Sequence, residues 1–284
     1  MIIDAHAHIG HLEDDGQGKD FPVEMLIKLM DSSEERIDVA LISNLIGGGP
    51  ESDQREANRH TKAAVMKYPD RLRGLVWVNP YRSQGEQGRL LASDISNTRE
   101  CLRDSRDGEN RYIFVGLKFH PYLNRYRFKD GNVTGFLKLA QQYEVPVAVH
   151  TAYDEYSQPE QVADVARHFP DLNFILYHAG LAPPDDETGL RVLDRVLSQD
   201  NLYIDISWLK YERLKRALDK IPDRVLFGTD LPLGGLQHYA GYFSDLKRYF
   251  NDLKRMGSDE KALGPKRSML MHSNCRKIFK RLAD

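Results

Sequence analysis

Eight short apolar runs recur along the chain, each followed by an amphipathic or charged stretch. They are Met1–His6, Asp38–Asn44, Leu72–Asn79, Val115–His120, Val145–His150, Leu172–His178, Leu202–Ser207 and Arg224–Asp230. Each has the length of a strand, is rich in Val, Ile and Leu, and lacks strict alternation. That is how strands covered on both faces read. Helical spacing lies between them: Val23, Leu26, Ile27 and Met30 within Pro22–Glu35, Val162, Val165 and Ala166 before the sixth run, and Leu214, Ala217 and Leu218 before the eighth. Ser83 and Ser157 stand where helix caps are wanted. Pro69-Asp70, Pro170-Asp171 and Pro222-Asp223 stop helices just before a run, because proline cannot continue them. The alternation predicts an α/β chain folded as a (β/α)8 TIM barrel, one domain over residues 1–284. An open doubly wound sheet is the competitor, but no GxGxxG follows the first run. Gly47-Gly48-Gly49-Pro50 reads as a flexible connection, with an anion cradle as the alternative.

The 284 residues, 41% of them hydrophobic, supply a core for such a domain. Forty Lys and Arg against 42 Asp and Glu give a net charge of -2 and argue against a nucleic-acid partner. The two cysteines, Cys101 and Cys275, form no CxxC pattern, which fits a reducing compartment. No secretion signal or bilayer-length apolar run is visible. The expectation is a cytoplasmic protein acting on a small molecule, without a membrane partner; a homo-oligomer is left open.

Of ten histidines, His6, His8, His120, His150 and His178 fall at or just past the ends of runs, and Asp230 ends the last one. In a barrel those ends form one rim, where active sites sit. His6 and His8 are two apart, so on a strand both imidazoles point the same way and can reach one ion; a pair of polar loop residues is the alternative. His150 and His178 end apolar runs, as ligands or as buried neutral imidazoles. Asp230 needs a partner, an ion or water after VLFGT, or else caps the next turn. Lys118 shares parity with His120 in VGLKFHP; a lysine there binds a substrate carboxylate, pairs with Asp230 or a neighbouring carboxylate, or carries a carbamate. Asp4, at the parity of His6, reads as orienting a ligand histidine, and Asp205 as a similar support. Of Arg55, Arg82, Arg125 and Arg127, one is a candidate for a substrate carboxylate, with solvated surface charge as the commoner role of such residues. Tyr122, Tyr153, Tyr156 and Trp208 are candidates for the walls of a substrate pocket, with packing between loops as the equal alternative.

IIDAHAHIG, VGLKFHP, VAVHT, ILYHAG, FGTDLP and SNCRKIFK, in this order over nearly the whole chain, resemble the amidohydrolase superfamily. Within it they look like the amidohydrolase-related group of metal-dependent TIM-barrel hydrolases and decarboxylases. The resemblance implies a divalent ion, Zn2+ with Mn2+ as the alternative, held by His6, His8, His150 and Asp230, with His178 as acid, base or further ligand. One ion is favoured; a second would involve His150, His178 and a carboxylated Lys118. Asp230 is the implied base, and His178 or Lys118 polarises the substrate; His120 is a candidate catalytic residue without a settled role. The implied reaction is water attack on an ester, lactone or amide carbon. The alternatives are nonoxidative decarboxylation of an unsaturated or aromatic acid, and a barrel that has lost turnover.

Overall fold

The computed structural model describes all residues except 15, 16, 34, 81–86, 182, 184, 283 and 284, so Arg82 and Ser83 lie outside the described residues. Its strands are β1 (Ile3–Asp14), β2 (Gln17–Phe21), β3 (Val39–Asn44), β4 (Leu72–Val78), β5 (Phe114–Phe119), β6 (Val147–Ala152), β7 (Phe174–Leu181), β8 (Leu202–Asp205) and β9 (Val225–Leu226). They form one sheet in the order β2-β1-β3-β4-β5-β6-β7-β8-β9. Every pair from β1 round to β9 is parallel, and β2 alone runs antiparallel, folded back on β1. Backbone bonds close the ring: Ala5 N to Phe227 O (2.8 Å), Asp230 N to His6 O (2.8 Å) and His8 N to Leu231 O (2.6 Å). The expected barrel of eight parallel strands is therefore the fold.

The helices α1 (Val23–Ser32), α2 (Gln54–Lys67), α3 (Gln87–Asp104), α4 (Pro121–Asn124), α5 (Thr134–Gln142), α6 (Pro159–Ala166), α7 (Asp186–Leu197), α8 (Tyr211–Lys220), α9 (Gly235–Arg255), α10 (Glu260–Ser268) and α11 (Asn274–Ile278) complete the chain. The apolar stripes read from sequence pack on the outward strand residues; Leu26 and Met30, Val162 and Ala166, and Leu214 and Ala217 all join that cluster. No helix among the described residues is long and apolar enough to cross a membrane.

Inside the barrel, every one of the eight parallel strands contributes to an apolar floor, with Ile3, Leu41, Leu75, Val115, Ala148, Ile175, Tyr203 and Leu226, and Ala5 adds to it from β1. Cys275 and Ile278 of α11 and the following Phe279 plug it from below. Asn274 locks the plug, its amide donating to the carbonyls of Pro222 (2.7 Å) and Val225 (2.8 Å).

Boundaries differ from the expectation in three places. The first strand runs on to Asp14, because Gly10 to Asp14 pair with the β2 hairpin. The last shrinks to Val225–Leu226, since the residues after it bond singly to β1 rather than as a ladder. The closing helix expected over Asn274–Leu282 breaks at Phe279, which turns in to fill the floor.

Candidate active site

Directly above the apolar floor the same strands turn polar. Two residues beyond Leu41, Leu75, Ala148, Ile175 and Tyr203 come Ser43, Trp77, His150, Tyr177 and Asp205, as the alternation of a strand requires. His6, His8, Lys118, His178 and Asp230 join this layer, and all are at most 9% exposed.

Departures from regular pleating bring several of them in. Asp4 lies opposite Ala40 and Ala7 opposite Ile42, so β1 spends an extra residue there. That bulge flips the parity. Asp4 consequently does not share a face with His6, contrary to the expectation. Its carboxylate accepts from the Thr229 hydroxyl (2.5 Å), the Thr229 N–H (3.1 Å) and the His6 N–H (3.0 Å). Asp4 thus fixes backbone, not an imidazole; burial, opposed by the Thr229 hydrogen bond, raises it to about 7. A similar shift between Gly74 and Leu75 of β4 and their β5 partners places Lys118 opposite Trp77. His178, Trp208 and Asp230 have φ of 67°, 61° and 62°. A non-glycine residue in that region costs about 1–2 kcal/mol, and such strain gathers at functional sites. At His178 the turn allows two successive residues, Tyr177 and His178, to serve one site.

The centre is a trio. His6 Nε2, His8 Nε2 and Asp230 Oδ1 lie 3.1–3.2 Å from one another. Behind them, His6 Nδ1 meets Asp205 Oδ2 (2.8 Å), His8 Nδ1 meets the Ser43 hydroxyl (3.0 Å), and the Trp208 indole N–H donates to Asp230 Oδ2 (2.7 Å). These partners aim the remaining nitrogen or oxygen of each residue inward, as outer partners do at metal centres. Ser43 can donate or accept, so His8 Nε2 is a donor to Asp230 in the protonated site and a lone pair towards a cation. Donor atoms sharing one ion at about 2.0–2.2 Å stand about 2.8–3.1 Å apart across a right angle and about 3.3–3.6 Å apart across a tetrahedral one, and the trio lies between. The trio fits a divalent cation on donor type, spacing and orientation.

A second set adjoins it. His178 Nδ1 meets the Ser207 hydroxyl (2.8 Å), which donates to Asp205 Oδ2 (2.6 Å), and the His178 N–H donates to Asp205 Oδ1 (2.6 Å). His6, His178 and Asp205 form another group with metal-ligand spacing. His150 belongs to neither group. Its Nδ1 lies 3.2 Å from His178 Nε2, and its ring stacks on His120 at 4.0 Å, which in turn stacks on Trp77 at 5.7 Å. The structure thus brings His6, His8 and Asp230 directly together, and joins His150 to them through His178.

Lys118 is fully buried without an ion pair among the described residues, so the pairing with Asp230 offered for it is not made. Its Nζ lies 3.4 Å from His6 Nε2 and 4.1 Å from the Tyr177 ring centre. Burial lowers it to about 7. Burial likewise lowers His178 to about 4 and raises Asp205 to about 8, and it depresses His6, His8, His120 and His150. For Asp230, burial pushes upward, but hydrogen bonds from His8 and Trp208 and the charge of His178 outweigh it, and the carboxylate stays ionised well below its usual range.

Two of the aromatic candidates have defined contacts. Trp208 holds Asp230, and the Tyr153 hydroxyl braces Thr188 O (3.2 Å) between loops. Three contributors were not singled out from sequence: Ser43, Ser207 and Tyr177. Tyr177 stacks on His6 at 3.5 Å and donates to Ala5 O (2.5 Å). Their shared signal is a polar group at the end of an apolar run, the one that marked the histidines.

A search of curated proteins finds no match. Solved structures match in fold. A 2,6-dihydroxybenzoate decarboxylase from Rhizobium aligns with TM-score 0.66 at 17% identity, over 100% of this chain and 99% of its own. A 5-carboxyvanillate decarboxylase from Novosphingobium aromaticivorans, complexed with manganese and a nitrobenzoic acid, gives 0.65 at 15%, over 99% and 96%. A probable 2-pyrone-4,6-dicarboxylic acid hydrolase from Acinetobacter baumannii gives 0.61 at 18%, over 98% and 99%. The Amidohydrolase family model matches residues 3–280, from the first barrel strand through the floor plug. With nearly its whole length covered, the chain belongs to the amidohydrolase family.

Proposed function

We propose that this amidohydrolase is a metal-dependent hydrolase that directs water to an ester, lactone or amide carbon of a small molecule. The observation that carries the reading is the trio of His6, His8 and Asp230, each aimed by its own hydrogen-bonding partner. His6, His8 and Asp230 would hold one divalent ion, with His150 and His178 as further ligands in the family's pattern. Zn2+ suits the nitrogen-rich set, and Mn2+, present in one structural neighbour, is the alternative. Such an ion would supply Lewis-acid polarisation when bound.

The chain's own residues supply the rest. Asp230 is ionised, and its Oδ2 is fixed by Trp208, so it takes a proton without changing orientation. The Asp205–Ser207 pair would hold the His178 proton on Nδ1 and leave the Nε2 lone pair, which faces His150, either to ligate the ion or, where it does not ligate, to accept a proton. Lys118, poised near neutrality by burial, would stabilise negative charge developing on the substrate. His120 accepts the Leu123 N–H at Nδ1, which places its ring proton on Nε2 as a donor.

Decarboxylation is the second reading, favoured by the two decarboxylases among the neighbours. A screen of the zinc- and manganese-loaded protein against lactones, amides and carboxylic acids separates them. Hydrolysis without CO2 release supports the first reading; CO2 release from an aromatic or unsaturated acid replaces it with the second. Metal-free protein that takes up neither ion would overturn both.

A further inference from the structure

The four candidate arginines are not equivalent in the structure. Arg55 is bound to Asp53 (2.6 Å) and Arg127 to Glu155 (3.0 Å), and Arg82 is not described. Arg125 has no ion pair and no side-chain hydrogen bond among the described residues. It ends the single turn α4 with φ 53°, its N–H bonded to Pro121 O and Tyr122 O. A left-handed arginine is an unfavourable choice for a turn end, where glycine serves at less cost.

The turn that carries it is braced. Buried Asn124 donates to the carbonyls of Gly47 (2.8 Å) and Gly49 (2.7 Å) and accepts from the Trp77 indole (3.1 Å). Asn79 pins the Gly49, Pro50 and Ser52 carbonyls from the other side. The glycine-rich loop is therefore a fixed wall, and its bonded carbonyls do not make it an anion cradle. Between that wall and α4 lies a cavity of about 230 Å3, lined by Gly48, Gly49, Pro50, Tyr122 and Arg125. Tyr122 links the cavity to the candidate active site, its ring lying 6.4 Å from that of His150. Glu13 also lines it, but its carboxylate meets His11 (3.1 Å).

We propose that Arg125 is the specificity-determining residue for a carboxylate carried by the substrate away from its reacting carbon. This deepens the reading above and rests on it: the substrate class becomes small organic acids. The guanidinium fork matches a carboxylate bidentately, and the rigid turn fixes the backbone that carries it.

Isothermal titration tests this with glutarate and benzene-1,3-dicarboxylate, each compared with its own monoamide, on protein with and without added Zn2+. The wild type should hold the diacids about tenfold or more tightly than the monoamides. Arg125→Gln should bring that ratio to about one, and Arg125→Lys should restore part of it. A preference that survives Arg125→Gln, or a wild type with no preference, overturns the assignment. Zinc content of the same samples keeps the two readings apart. A diacid preference in protein that holds no metal breaks only the proposed function, whereas full metal without the preference breaks only the role of Arg125.

Discussion

The barrel interior holds two adjacent layers built from the same strands, two residues apart, and they differ in almost everything except burial. The lower is the ring from Ile3 to Leu226 closed by Phe279; the upper is His6, His8, Lys118, His150, His178, Asp205 and Asp230. Side chains in both are shielded from water. The lower layer gains from removing apolar surface from water and needs no partner atoms. The upper layer buries charge and left-handed backbone, which cost free energy unless each polar atom finds its partner. The difference teaches where each property resides: the floor holds the barrel together, and the rim spends part of that stability on chemistry.

The sharpest way to break this division is Asp230→Asn. Turnover should fall by about 10²–10⁴-fold, as loss of a positioned proton acceptor does, while circular dichroism shows the barrel retained. Wild-type-like turnover would remove Asp230 from the reaction. Phe279→Ala attacks the other layer. Urea unfolding should report a loss of about 3–5 kcal/mol from the cavity it leaves, with metal bound per folded molecule unchanged. A folded variant that no longer held metal would show the layers to be coupled. Asp205→Asn should weaken metal affinity by about 10–100-fold, measured by competition with a chromophoric chelator, because it loosens His6 and the Ser207–His178 relay together. Ser43→Ala should do least, about 0.5–1.5 kcal/mol of binding through His8 alone. An effect of Ser43→Ala larger than that of Asp205→Asn would reverse the ranking of the two supports.

The lower layer and the barrel were largely legible in sequence. Runs such as VPVAVH and LNFILYH carry apolar residues on both faces, and only strands wrapped inside helices need that. The rim was legible as a set of polar residues at run ends, but its internal pairing was not. Strict alternation assigned Asp4 to the face of His6, whereas a bulge between Asp4 and Ala7 moved it off. The same rule gives no reason for Tyr177 and His178 to share a site; the left-handed turn at His178 does. Bulges arise from how neighbouring strands meet, and no single run records that. The β1–β2 hairpin was missed because QGKDF has little strand propensity, and its pairing comes from β1 beside it. Arg125 was visible only as one of four arginines, until ion pairs removed two of the others.

The central claim is that His6, His8 and Asp230 gather around one cation, and anomalous diffraction from crystals grown with zinc tests it most directly. The account predicts a single strong peak about 2.0–2.2 Å from His6 Nε2, His8 Nε2 and Asp230 Oδ1. Full-occupancy zinc bound elsewhere, or no peak between those three side chains, would contradict it.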